Sequence, residues 1–187
     1  MNPWIVVIAL LLVVLLVLIG IYNGLVRARA RVRESSSTVD SELQRRHELI
    51  PNLVNTVKGY MTHEKELLAK LVELREQAER LRPGRITADR VRVEGELEQT
   101  LSGLRARFEA YPELKASANF QALQGELANT ADRVQAALRF YNGNVRELNV
   151  KCEAFPSGIV ASMFGFEKGT FFELRDPAAR ANPAVNF

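Results

Sequence analysis

Two histidines, His47 and His63, each followed directly by glutamate, are the side chains best suited to general acid–base work or metal ligation. A zinc-protease helix needs a second histidine four residues on, and Pro51 and Leu67 stand there instead. On one straight helix these two imidazoles would point about 160° apart, so a shared metal would need a sharp bend. The lone cysteine, Cys152, falls on an apolar helical stripe, where a small packing residue is expected rather than a nucleophile. Gly165 and Gly169 do not form a phosphate-cradling loop. No catalytic, metal or cofactor site is therefore expected. The densest group of polar side chains is Arg45-Arg46-His47-Glu48, which runs into Leu49-Ile50-Pro51-Asn52-Leu53-Val54 and then Lys58-Gly59-Tyr60. Arg46 sits among apolar seam positions, where a charge is costly unless paired. Two readings stay open: an internal ion pair with an acidic residue of the third helix, or a kink that binds a partner or lipid. On the second reading Arg45, Arg46, His47, Pro51, Asn52 and Tyr60 are candidate partner contacts, joined near the C-terminus by Met163, Phe164 and Phe166.

The elements that carry these groups read as helices throughout. Val39, Leu53, Tyr60, Leu67, Leu74 and Leu81 recur at seven-residue multiples, with Leu43, Ile50, Val57, Leu71 and Ala78 as a second row. Pro83-Gly84 ends this first helix, which Pro51 should kink or break between His47 and Leu53 for want of an N–H. A second helix is expected from about Thr87 to Tyr111, with Val93, Leu97, Leu101, Leu104 and Phe108 buried and Pro112 as its stop. A third starts near Ser117 or Asn119 and keeps its stripe from Phe120 to Phe155. Ile159, Val160, Met163 and Phe164 share one face of a short last helix, read either as core or as an interface with membrane or another subunit. The fold class is all-α: an N-terminal transmembrane helix continuing into three long antiparallel helices plus a short C-terminal one. The divisions are an anchor over 1–26, a basic juxtamembrane segment over 27–38, a helical domain over 39–172 and an irregular tail over 173–187.

From Ile5 to Tyr22 no residue is charged, and 15 of the residues from Ile5 to Ile21 are Ile, Leu or Val. Trp4 to Val26 gives about 33 Å of helix against a hydrocarbon core of about 30 Å. Insertion is favoured by about 6 kcal/mol at about 0.4 kcal/mol per large aliphatic side chain. Ile5, Val6, Leu12, Leu16 and Ile21 are expected in the lipid, with Trp4 and Tyr22 at its two interfaces. Arg27, Arg29, Arg31 and Arg33 follow the run and no Lys or Arg precedes it, unlike a signal peptide. The same asymmetry places the large domain on the cytoplasmic side. The 25 basic and 22 acidic side chains are too evenly balanced for a nucleic-acid binder. The expected partners are the bilayer, further copies of the chain, or another membrane protein.

Arg45 to Val54, with Val57-Lys58-Gly59-Tyr60 and His63-Glu64, resembles the signature of the bacterial LemA family. Glu109-Ala110-Tyr111-Pro112-Glu113-Leu114-Lys115-Ala116, Asn119-Phe120, Leu123-Gln124, Tyr141-Asn142, Val145, Phe155-Pro156, Gly165-Phe166, Tyr22-Asn23 and Leu25-Val26 match in order. Glu48 stands where the family usually has Asp, and Ser35-Ser36-Ser37-Thr38 lacks its usual Trp. The resemblance implies an anchored bundle of long helices in the bacterial cytoplasmic membrane, without established enzymatic activity. The related MamQ-like branch, tied to magnetosome membranes, implies a membrane-organising role.

Overall fold

The computed structural model describes residues 3–81 and 83–174, and every regular element among them is helical. In order these are α1 (Pro3–Val57), α2 (Lys65–Arg80), α3 (Ala88–Arg107), α4 (Pro112–Ala116), α5 (Ala118–Glu153) and α6 (Ser157–Met163), with a 3-10 turn over Phe108–Ala110. The irregular tail expected from residue 173 lies, beyond Leu174, outside the described residues.

The first helix departs from the sequence expectation. It passes through Pro51 without a break and stops at Val57, and the chain reverses over 58–64 before α2. Proline cannot donate to the carbonyl of His47, but that carbonyl accepts a hydrogen bond from Arg75 Nε of α2 at 3.1 Å. A donor from the neighbouring helix therefore replaces the one proline lacks. Arg75→Leu is expected to lower stability by about 1.5 kcal/mol, and by less than half of that in a Pro51→Ala background, where residue 51 regains its N–H. A double-mutant cycle on urea unfolding of the full chain in detergent reads the coupling, and strictly additive effects would refute it.

The remaining boundaries follow local chemistry. Thr87 caps α3, its side chain accepting from the N–H of Arg90 at 3.3 Å, and Ser117 Oγ accepts from Phe120 N at 3.5 Å ahead of α5. Pro112, expected as a stop, instead opens the short α4, where a missing N–H is harmless.

The described residues divide into two compact units, 3–36 with 139–171 and 37–138 with 172–174. In the second, His47 meets Arg75 while Asp40 meets Gly84, so α1 and α2 run antiparallel. Asp40 meets Arg90 and Arg46 meets Glu94 and Glu98, so α3 runs with α1. The single helix expected over 39–81 is thus two, and the expected set of three long helices gains a member. The core of this unit gathers Ile50, Leu53, Leu71, Leu97, Leu101 and Leu104. Phe108 and Phe120 close it edge to face, their ring centroids 4.8 Å apart.

In the first unit α1 and α5 are antiparallel, with Arg31 bonded to Glu147 at 2.8 Å and Lys151 reaching the Gly24 carbonyl at 3.4 Å. Leu25, Val160, Ala161 and Phe166 form its apolar centre near the exit of the apolar run, with Ile21, Val26 and Cys152 packed against it. Asn149 clamps the backbone of Gly169 by donating to its carbonyl at 3.1 Å and accepting from its N–H at 2.8 Å. A Cβ at Gly169 would lie 3.3 Å from both methyls of Val145, so a larger residue there would have to push Val145 aside by a few tenths of an ångström.

Candidate functional site

The polar cluster of the second unit is built from two helical rows. Arg90, Glu94 and Glu98, spaced by four, lie on one face of α3 beside the apolar Val93, Leu97 and Leu101. Asp40, Arg46 and His47 come from α1. Arg46 Nη2 lies 2.5 Å from Glu94 Oε2 and Arg46 Nη1 lies 2.7 Å from Glu98 Oε2. His47 Nε2 straddles the Glu94 carboxylate, 3.1 Å from Oε1 and 3.3 Å from Oε2. Arg46 is 2% exposed and Glu94 0%, so the pair is shielded from water. Burial pushes the Glu94 carboxyl up, but the hydrogen bond from His47 and the charge of Arg46 outweigh it, and the group titrates below its ordinary range. Alongside, Arg90 Nη2 pairs with Asp40 Oδ1 at 2.5 Å, and Asp40 Oδ2 accepts from the N–H of Gly84 at 2.6 Å, a turn glycine at φ +88°.

A cavity of about 270 Å³ opens on this cluster, lined by Asp40, Gln44, His47, Glu48 and Arg90 among others. Arg90 Nε and Nη1 are buried, with no hydrogen-bond partner among the described residues. Such an arrangement can orient a small polar group, and it offers ion pairs rather than an activated nucleophile. Among the described residues no three His, Cys, Asp or Glu side chains gather as metal ligands would.

The candidate residues do not converge on one place. Arg46 and His47 turn inward, His47 at the wall of the cavity; their carboxylate comes from α3, not from the last long helix as expected. Arg45, Asn52 and Tyr60 are exposed, and Pro51 is half-buried. His63 is exposed in the α1–α2 turn, next to Glu64, which pairs with Arg107. Sequence reasoning missed Arg90, Glu94 and Glu98; the signal was a charged row at four-residue spacing directly flanking an apolar stripe.

In the first unit Trp4 and Tyr22 are exposed, as are Ile5, Val6, Leu12 and Leu16, while Ile21 is half-buried. Arg27, Arg29, Arg31 and Arg33 are all exposed, and the Arg29 guanidinium lies 4.6 Å over the ring of Phe166, which is buried. Met163 and Phe164 are exposed. Cys152 is half-buried beside the apolar centre, and desolvation raises its thiol pKa, the opposite of what an activated thiolate needs.

The apolar part of α1 is long enough to cross a membrane; its best 18-residue window has a mean hydropathy of 3.5, and none of it is buried. It is no core helix. The Ala28-Arg29-Ala30 stretch, which superficially resembles a cleavage site, lies inside α1 past Leu25, so a cut there would remove a core side chain of the folded unit.

A family model described as the LemA family matches residues 35–187. The Protein LemA of Metamycoplasma hominis is 24% identical over 157 residues, covering 84% of this chain and 71% of that protein.

Proposed function

The chain belongs to the LemA family, and on that premise we propose that it is a non-enzymatic, single-pass membrane protein that self-associates at the bilayer to organise it. The observation that carries this reading is the uncovered apolar run of α1, which continues without interruption into the folded body and supplies Leu25 to its core. The arginines after the run favour a cytoplasmic location for the folded part, in the inner membrane of a bacterium. Self-association is supported by Phe140 and Val150, large apolar side chains left exposed on α5, and by tethering, which concentrates neighbours in a plane.

The full chain is expected to stay with membranes through high salt and carbonate, and after mild detergent extraction to run as a particle of many subunits by multi-angle light scattering. Release by carbonate removes the anchor. A monomer at the highest loading removes the self-association while leaving the anchor in place.

A second reading, an adaptor for a membrane protease or transporter, is favoured by the exposed Tyr60 at the α1–α2 turn and by the polar cavity. A photo-crosslinker at Tyr60 should then trap one heterologous protein in cells; self-crosslinks alone would exclude it.

A further inference from the structure

We infer that α6 and the corner before it form a second membrane contact, in which Phe155, Ile159, Met163 and Phe164 enter the interfacial layer of the bilayer that α1 crosses. The inference rests on the reading of α1 as a span and adds a different element to the lipid-facing surface.

Depth is the first argument. Tyr22 closes the aliphatic run of α1, and the first arginine comes at Arg27, about 7.5 Å further along the helix. α6 is fastened at this level. Val160 and Ala161 pack into the cluster that contains Leu25 and touches Ile21, and the Phe164 ring lies 4.9 Å from that of Tyr22. Phe166 follows, 5.8 Å from Tyr22 and under Arg29. A side chain in ring contact with the interfacial tyrosine cannot stand far from the headgroups.

Facing is the second. Val160 and Ala161 take the buried side of α6, which leaves Ile159 and Met163, one turn apart, on the outer side. Phe155 is 86% exposed, Met163 71%, Phe164 58% and Ile159 55%, a group of large apolar side chains each more than half uncovered. Free in water, such a patch would be a liability, whereas the interface accepts it.

Continuity and charge choose lipid over a second protein. The patch joins the uncovered apolar surface of α1 through Tyr22, so whatever solvates α1 there also meets α6. Arg29, stacked over Phe166 beside Tyr22, brings a cation to the edge of the patch. A cation bordering a Phe- and Met-rich face suits an anionic lipid surface.

The test uses the full chain carrying Cys152→Ser, reconstituted in phosphatidylglycerol-containing vesicles. Single cysteines for a polarity-sensitive fluorophore replace Met163, Ile159, Leu12 or Lys70, the last exposed on α2. Shallow acyl-chain nitroxides should quench the labels at 163 and 159 several-fold more than the label at 70, while aqueous iodide shows the reverse order. The Leu12 label, quenched by deep nitroxides, reports α1 separately. If Leu12 is quenched and the 163 and 159 labels answer only to iodide, the second contact is wrong and the span stands. Labels at 163 and 159 shielded from iodide yet untouched by lipid quenchers would mean that a second copy covers the patch, which also overturns the inference. A Leu12 label insensitive to lipid quenchers would remove the span and the second contact with it.

Discussion

Glu94→Ala is expected to lower folding stability by about 3–5 kcal/mol, because it leaves Arg46 buried with its principal carboxylate gone. Glu98 can hold only part of that charge, since it contacts a single guanidinium nitrogen from a partly exposed position. Arg46→Met combined with Glu94→Leu should recover most of the loss, as both charges leave together and the volume stays filled. Chemical denaturation of the full chain in detergent, followed by circular dichroism, measures both variants. A single variant within about 1 kcal/mol of wild type would mean the pair is hydrated rather than enclosed. The same carboxylate sets an acid limit. Glu94 titrates below its ordinary value of 4.5, so its contribution is complete above that value and disappears as pH falls through the lowered one. Wild type should therefore lose more stability on acidification through this range than the double variant does.

Phe120→Ala should cost a similar amount, about 3–5 kcal/mol, through a different mechanism. Its ring is fully buried and meets Phe108 at an interplanar angle of 87°, so truncation opens a cavity and removes an aromatic pair at once. Phe155→Ala provides the contrast: the same atoms removed from an exposed corner should change stability by less than about 0.5 kcal/mol. Equal effects at the two positions would contradict the burial pattern.

Apolar periodicity marked most of the elements. Val93, Leu97, Leu101 and Leu104 of α3 and Phe108 of the 3-10 turn after it are all buried, and the stripe of α5 holds from Phe120 to Leu148 with only Leu123 and Ala131 half-covered. The reversal at 58–64 was illegible for a physical reason. Val57 and Leu71 keep a multiple of seven across it, so the two helices share one phase, and Glu64 before α2 makes no side-chain cap bond. Tyr60 shows the error, since it sits in the apparent seam yet is exposed. Pro51 misled in the opposite direction, because the compensating Arg75 comes from a helix that local sequence could not bring near. Arg46 was correctly marked as a charge in an apolar row. Of its two open readings the structure has the internal ion pair, with carboxylates of α3 rather than of the third long helix the sequence suggested, because choosing between α3 and α5 requires knowing that α2 folds back.

Between Ile5 and Ser36 α1 has neither proline nor turn, so the first unit is carried on an axle rather than a leash. A loose tether would let it swing and spin over a wide area. On an unjointed shaft, rolling of the apolar end turns Phe140 and Val150 by the same angle, so copies that associate through them as proposed would mesh only at particular headings.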